Sequence, residues 1–250
     1  MQVIKLMLRS WRKQLSPKRG LSVWKKQLQD WRRFCQSYED YQKLAPPYKQ
    51  ADSKNFYPCL KDATTETKIE PTYFYQDSWA FEKIVKQSPS SHIDVGSNHK
   101  YVALLSKVVP VTMVDIRPLS LSLDSLQFKQ GSIVDLPFAD SSIDSLSSLC
   151  VIEHIGLGRY GDPIDPDGTE KAINELCRVL SSNGNLYLSL PIDDYNKVFF
   201  NAHRALSEEY FKGLISPLKI IEKKHIKGNF YLSEKPKGFN IGCYHLKSDI

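Results

Sequence analysis

Four acidic residues stand at or just after the ends of apolar, strand-like segments in this chain of 250 residues. In an open parallel sheet, ligands bind beyond the carboxyl ends of the strands, near the point where the strand order reverses. A single acidic residue in such a loop is common. Four in succession instead predict one shared binding site, formed by Asp94, Asp115, Asp135 and Glu153.

The first two acidic residues have the spacing of a nucleotide-binding turn. In Asp94-Val95-Gly96-Ser97, Gly96 can adopt a positive φ and lets the backbone approach a ligand closely. Ser97 or Asn98 can cap the helix that follows. Asp115 comes about twenty residues later, where a carboxylate can accept hydrogen bonds from both hydroxyls of a ribose. This pair predicts a site for a nucleoside.

The next two acidic residues extend the same site. Asp135 follows the third predicted strand and can accept a hydrogen bond from an adenine amino group, with Ile133 or Leu136 against the ring. Glu153, the fourth acidic candidate for cofactor binding, and His154 follow the fourth strand and begin the active-site loop. All four acidic residues are therefore expected to lie at one site.

Two histidines are candidates for a general base. His154 has an intrinsic pKa in the suitable range, although a hydrogen bond that shapes its loop is an equally good interpretation. His203, within the segment Phe-Asn-Ala-His-Arg, competes for the role. Arg204 is a candidate clamp for an acidic sugar or a phosphate. Asn201, in the same segment, is also assigned to the substrate.

The loop from Gly158 to Gly168 supplies further substrate-side candidates. Arg159, Tyr160 and Asp162 can line the opening. Asp162, Asp165 and Asp167 also suggest a metal, since hard cations prefer carboxylate oxygens. Their spacing does not match a calcium loop, and two prolines favour a rigid turn in which Asp167 caps the next helix. We therefore predict no metal site.

Strand and helix patterns alternate from residue 73 onward. The predicted helices are Ser78–Lys86, His99–Lys107 and Thr169–Leu180, and the predicted strands are His92–Val95, Val111–Ile116, Leu126–Lys129, Ser145–Ile152 and Asn185–Leu190. Such alternation is typical of a parallel sheet covered by helices on both faces. Two later strand-like runs, Leu218–Ile226 and Phe239–Leu246, lack an intervening helix and predict an antiparallel pair at the sheet edge.

The N-terminus differs in composition from the remainder. Residues 1–50 carry a net charge of +9, within a chain total of +6. Bulky apolar residues recur here at helical spacing, and Ser16-Pro17 with Gly20 divides the pattern, which predicts two basic amphipathic helices. They could pack as a helical cap or bind an anionic membrane surface. Nucleic acid is disfavoured because no recognisable motif accompanies the charge.

These patterns divide the chain into a helical extension at residues 1–45, a linker or lid at 46–72 and an α/β domain at 73–250. Five scattered cysteines form no CxxC pair and indicate neither a disulfide framework nor a zinc site. Neither an apolar stretch of about 18 residues nor a secretory signal is present. We predict a cytoplasmic protein that contacts membranes at most peripherally; nothing indicates its oligomeric state.

Residues 73–190 resemble class I S-adenosylmethionine-dependent methyltransferases. The resemblance rests on the segments VDLPFADSSIDSLSSLCVIEHI and ELCRVLSSNGNLYLSLP more than on the glycine turn. It implies a Rossmann-like, seven-stranded, mostly parallel sheet and S-adenosyl-L-methionine as cofactor. By position, Asp94 and Gly96 would hold the methionine part, Asp115 the ribose and Asp135 the adenine.

A narrower resemblance covers the second half of the chain. The segments GRYGDPIDPDG, FNAHR and IGCYH resemble an uncharacterised methyltransferase-like family. It implies the fold but no acceptor. Some relatives occur in polysaccharide assembly, which suggests a cell-envelope glycan as acceptor.

The glycine turn departs from the superfamily pattern. Asn98 and Lys100 stand where the second and third glycines are usual. Asn tolerates unusual backbone angles, but Lys100 is a concern for close packing. A nicotinamide-dependent oxidoreductase is disfavoured because the glycines that admit a pyrophosphate are missing. A catalytically silent cofactor-binding or docking protein of a membrane-associated assembly remains the alternative.

Overall fold

The computed structural model describes residues 21–216 and 218–248. The chain divides into two compact units, Met1–Lys68 and Ile69–Ile250. No helix within the described ranges has both the length and the hydrophobicity of a membrane span.

The N-terminal unit is organised around helix α1, Leu21–Leu44. The first of the two predicted N-terminal helices lies outside the described residues. The segment predicted as linker or lid returns along α1: the side-chain amide of Gln42 exchanges hydrogen bonds with the backbone of Ala51, and Arg33 donates to the carbonyl of Leu60. Edge-to-face aromatic contacts of Phe56 with Phe34 and Tyr38 add to this packing.

The C-terminal unit contains four α-helices and ten strands within the described residues. The helices are α2 Pro71–Gln87, α3 His99–Leu105, α4 Gly168–Val179 and α5 Glu208–Leu214. The strands are β1 His92–Val95, β2 Val111–Asp115, β3 Leu126–Gln130, β4 Ile143–Leu149, β5 Leu180–Asp193, β6 Lys197–Phe199, β7 His203–Ser207, β8 Lys219–Lys227, β9 Phe230–Leu232 and β10 Asn240–Lys247.

All ten strands belong to one sheet, whose main order is β3-β2-β1-β4-β5-β10-β8-β9. Strands β1 to β5 are parallel, and β10 is antiparallel to both β5 and β8. The predicted α/β fold with its antiparallel C-terminal pair is confirmed. The strand order reverses between β1 and β4, so the carboxyl ends of these strands form the edge where a ligand site is expected.

The sheet has ten strands rather than the predicted seven because two short hairpins extend it. The segment between β5 and α5 forms β6 and β7, and β9 turns back on β8. Strand β7 lies beside the end of β5, pairing Ile192 with Leu206 and Asp193 with Ser207. These strands are too short for a clear alternating pattern in the sequence.

Strand β5 shows how the sheet is buried on both faces. Leu186, Leu188 and Leu190 enter one core cluster, while Tyr187 enters the other. This follows from the two-residue period of a strand. Helix α4 covers the first face, and α2 and α3 cover the second with Trp79, Ala80, Ile84, Tyr101, Val102 and Leu105.

Candidate functional site

Two adjoining cavities open at the carboxyl ends of β1, β2 and β4. Their volumes are about 200 Å³ and about 1320 Å³, and we call them the smaller and the larger cavity. The residues that line both are Gly96, Asp115, Arg117, Cys150, His154 and Tyr160. The two cavities therefore share part of their walls.

The smaller cavity has a carboxylate set among apolar walls. The side chain of Asp115, at the end of β2, is 14% exposed. One of its oxygens, Oδ1, accepts a hydrogen bond from the backbone of Arg117 at 2.8 Å. The apolar walls are formed by Val95, Val114, Ile116, Ile133, Val134 and Val151. A carboxylate beside an apolar slot suits the hydroxyls and the ring of a nucleoside.

Gly96 forms the turn between the cavities and has a φ of +72°. Its amide donates to the carbonyl of Val114 at 2.9 Å. A Cβ at this position would stand 3.0 Å from Cγ1 of Val151. Both the backbone conformation and the lack of space require glycine here. The turn has the positive φ that was expected of Gly96, and it places this residue on the walls of both cavities.

Asp94 stabilises this turn through hydrogen bonds and lines neither cavity. The residue is fully buried. Its carboxylate accepts from the amide of Ser97 at 3.1 Å and from the hydroxyl of Ser147 at 2.5 Å. Ser97, which does line the larger cavity, in turn accepts from the amide of Leu149. The predicted direct role of Asp94 in cofactor binding is thus replaced by a role in shaping the turn.

A buried histidine extends the network of Asp94 across the sheet. The two ring nitrogens of His92 lie 2.7 Å from the hydroxyl of Ser145 and 2.8 Å from that of Ser147. Burial lowers the pKa of His92 to about 3 and raises the pKa of Asp94 to about 6. His92 is therefore neutral at physiological pH, and sequence reasoning had given it no role beyond its strand.

The two residues in place of glycines fit the turn. Asn98 has an extended backbone, with φ −60° and ψ 125°, and its side chain caps α3 by accepting from the amide of Lys100. The side chain of Lys100 is exposed. Neither position needs the freedom of glycine, so the concern over close packing at Lys100 does not apply.

The loop after β3 contributes one of its three predicted residues. Ile133 lines the smaller cavity. Asp135 is exposed and Leu136 is buried in the core, and neither lines a cavity. The cause is a tight turn in which the amide of Asp135 donates to the carbonyl of Ser132 at 3.1 Å. The predicted contacts of Asp135 and Leu136 with adenine are not supported by this placement.

Glu153 is a buried acid on the wall of the larger cavity. The residue is 3% exposed, and its Oε2 atom has no hydrogen-bond partner within the described residues. Burial raises the pKa of Glu153 to about 8. At neutral pH the group is mainly a carboxylic acid, which can donate a hydrogen bond to a ligand.

His154 makes the backbone hydrogen bond that one of the two predictions assigned to it. Its Nδ1 lies 2.6 Å from the carbonyl oxygen of Ala202. A carbonyl only accepts, so Nδ1 carries the proton and Nε2 keeps a lone pair. Burial lowers the pKa of His154 to about 4, which keeps the ring neutral at physiological pH. Nε2 keeps a lone pair and lies 3.5 Å from Nη1 of Arg159, while the lowered pKa weakens the ring as a base.

His203 lies on another part of the larger cavity. Its ring is half-buried, with ring centroids 4.8 Å from Phe199 and 5.7 Å from Phe239. Burial and the charge of Arg159 lower the pKa of His203. Both predicted bases therefore face the same cavity.

The loop after β4 places Arg159 and Tyr160 at the opening, as predicted. Asp162 lines the smaller cavity but is occupied by its own loop, accepting from the amides of Gly156 and Tyr160. Asp165 pairs with Lys171 at 2.6 Å. The described residues contain no group of three His, Cys, Asp or Glu arranged to hold a metal.

Three predictions for this part of the chain need correction. Arg204 is 6% exposed and donates to the carbonyls of Ile155, Asp165 and Pro166 and to the hydroxyl of Thr169. Asn201 donates to the carbonyl of Leu157. Neither residue lines a cavity, since both hold the loop in place. Asp167 precedes α4, but its side chain makes no capping hydrogen bond.

Sequence reasoning missed two residues that line both cavities. Arg117 follows Asp115 by two positions, and this proximity to a predicted ribose ligand could have identified it. Cys150 was interpreted as a buried strand residue, but it follows β4 with a φ of +53°. Its thiol donates to Oε1 of Gln76 at 3.1 Å, and burial raises its pKa. The thiol is therefore protonated at neutral pH.

The buried acid gives a testable dependence of stability on pH. The folded state retains the proton of Glu153 up to about pH 8, whereas the unfolded chain releases it near 4.5. The stability that this proton provides is therefore present at low pH and lost as the pH rises through that window. We expect the free energy of unfolding of the wild type to fall by about 2–4 kcal/mol between pH 5 and pH 8 because of this carboxyl. Glu153→Gln should lack this fall.

Urea unfolding at several pH values would measure this difference. The exposed Glu209 offers a matched control, since Glu209→Gln removes a carboxylate without removing a buried one. Parallel stability curves for the wild type and Glu153→Gln would show that the buried carboxyl does not titrate as described.

The family model described as "Caenorhabditis protein of unknown function, DUF268" matches residues 121–222, less than half of the chain. No curated protein matches.

Solved structures match over a larger part of the chain. N-methyltransferase NodS from Bradyrhizobium japonicum WM9, in complex with S-adenosylhomocysteine, has a TM-score of 0.53 and 13% identity, covering 86% of this chain and 98% of its own. The chain has the fold of methyltransferases of this kind. A candidate sarcosine dimethylglycine methyltransferase from Galdieria sulphuraria has a TM-score of 0.52 and 15% identity, covering 70% of this chain and 86% of its own.

The fold does not by itself determine the reaction. The [4+2]-cyclase SpnF matches with a TM-score of 0.53 and 10% identity, covering 70% of this chain and 82% of its own. Function must therefore be inferred from the cavities.

Proposed function

We propose that this chain is an S-adenosylmethionine-dependent methyltransferase that methylates an oxygen of a sugar or another small molecule. The observation that carries the proposal is the carboxylate of Asp115, placed beside the Gly96 turn in an apolar cavity at the point where the strand order reverses. The cytoplasm as location and cell-envelope polysaccharide synthesis as setting belong to the same proposal.

The residues present fit this cofactor. Asp115 would accept from the ribose hydroxyls, Ile133 would contact the adenine ring, and the backbone at Gly96 and Ser97 would hold the methionine part. Space at Gly96 is kept open by the missing Cβ. When bound, the cofactor supplies a methyl group on a sulfonium.

The side chains of the larger cavity suit a hydroxyl acceptor. Methyl transfer to oxygen requires mainly alignment of the reactants and removal of the hydroxyl proton. His154 is held by the carbonyl of Ala202 through Nδ1, so Nε2 can accept this proton. The neutral acid Glu153 can donate a hydrogen bond that orients the acceptor, while His203 is the second candidate base.

Calorimetry with S-adenosylhomocysteine is the direct test. We expect saturable binding at micromolar to millimolar ligand, because the carboxylate and the turn are already formed. Absence of detectable heat at millimolar ligand would contradict the proposal. His154→Ala should then keep this binding and lose methyl transfer to the acceptor, once an acceptor has been found by screening glycosides.

The alternative is a catalytically silent protein that binds the cofactor or docks on a membrane-associated assembly through residues 1–45. The net charge of +9 in residues 1–50 supports a peripheral contact with anionic membranes. Sedimentation with anionic vesicles, with and without residues 1–45, tests the membrane contact. Equal partitioning of both forms would remove the membrane contact from the proposal.

A further inference from the structure

Two arginines meet at one aromatic ring between the cavities. The guanidinium of Arg117 lies 4.4 Å from the ring centroid of Tyr160, and that of Arg159 lies 5.0 Å from the same centroid. All three residues line the larger cavity. Cations over an aromatic ring keep their positive charge available to a ligand on their other side.

Arg159 has no carboxylate partner in the part of the chain that the structure describes. No acidic side chain among residues 21–216 and 218–248 forms an ion pair with it. Its Nη1 atom donates to the carbonyl of Ala202 at 3.0 Å and lies 3.5 Å from Nε2 of His154. Its charge lies close to both candidate bases, since it adds to burial in lowering the pKa of His154 and of His203.

Among the described residues, no acid that lines the larger cavity pairs with Arg159. Glu153 is protonated at neutral pH because it is buried. Glu70 caps α2 by accepting from the amide of Tyr73. Asp115 lies 3.6 Å from Arg117 but also faces the smaller cavity, where the proposed cofactor would engage it. Arg159 therefore keeps an unpaired positive charge next to His154.

We propose that the acceptor carries an anionic group, a phosphate or a carboxylate, which Arg117 and Arg159 bind beside Tyr160. This rests on the proposed function and specifies its substrate class. Guanidinium groups bind both anions through paired hydrogen bonds. The arginine first predicted as the clamp, Arg204, cannot serve because its donors are taken by the loop carbonyls.

The test compares acidic and neutral sugars on protein saturated with S-adenosylhomocysteine. Calorimetry with glucose 6-phosphate, glucuronate and glucose at millimolar concentrations distinguishes a phosphate from a carboxylate. We expect at least one acidic sugar to bind at least about 10-fold more tightly than glucose. Arg159→Gln should remove this preference and leave the affinity for S-adenosylhomocysteine unchanged. Arg32→Gln, an exposed arginine of the other unit, is the matched control and should change neither.

Three outcomes would overturn the inference. These are equal binding of all three sugars, an unchanged preference in Arg159→Gln, and a loss of S-adenosylhomocysteine binding in that variant. The last would assign the guanidinium to the cofactor. A wild type that does not bind S-adenosylhomocysteine would instead contradict the proposed function, so the two failures are distinguishable.

Discussion

Asp115→Ala is expected to weaken S-adenosylhomocysteine binding at least about 100-fold while leaving the fold intact. The carboxylate ends β2 beside the smaller cavity, and its proposed partners are two ribose hydroxyls. Hydrogen bonds to a charged group contribute about 1.5–3 kcal/mol each, so losing two reaches or exceeds this factor. Calorimetry would give the affinity and circular dichroism the fold.

Asp135→Ala is the matched control for this prediction. Asp135 is another carboxylate that the sequence assigned to the cofactor, yet it is exposed and lines neither cavity. Its removal should leave binding unchanged. If Asp135→Ala reduced the affinity as much as Asp115→Ala, the nucleoside would have to contact the loop after β3 in another way.

Arg204→Met is expected to destabilise the protein by about 3–5 kcal/mol, because it leaves buried carbonyls without their donor. For a chain of this size the melting temperature should fall by about 10 °C. The loop that carries Arg159 and Tyr160 would also lose its anchor. Thermal unfolding followed by circular dichroism measures the change.

Arg159→Gln provides the contrast. Its side chain is exposed, and its loss should alter stability by no more than about 0.5 kcal/mol. Arg204→Lys keeps the charge but not the fork of donors, and we expect it to remain clearly destabilised. Near-normal stability of both Arg204 variants would mean that water replaces the guanidinium and that the loop needs no such anchor.

The parts of the fold and site that depend on local chain geometry could be predicted from sequence. The alternation of strand and helix patterns predicts the parallel sheet. The carboxyl ends of the strands in that sheet predict where the site lies. Gly96 was identifiable because a turn after a strand limits which residue can stand there. Asp115 was identifiable because the end of its strand must face the same edge as that turn.

The parts that depend on distant contacts could not be predicted. Arg159 and Arg204 both occur in polar segments, and only the path of the loop decides that the second is buried. The tautomer of His154 is determined by its hydrogen bond to the carbonyl of Ala202, 48 residues away in sequence. The turn from Ser132 to Asp135 places Ile133 at the cavity and keeps Asp135 and Leu136 away from it. Such outcomes follow from packing, which residue patterns do not specify.

The hairpin β6–β7 has a consequence for how relatives of this chain could differ. It is joined to the parallel sheet at the very end of β5, yet it supplies His203 and the carbonyl that orients His154. Its exchange would leave the register of β1 to β4 untouched. Exchange of the hairpin, which Arg204 anchors, could therefore alter the walls of the larger cavity without changing the strand ends that form the smaller one.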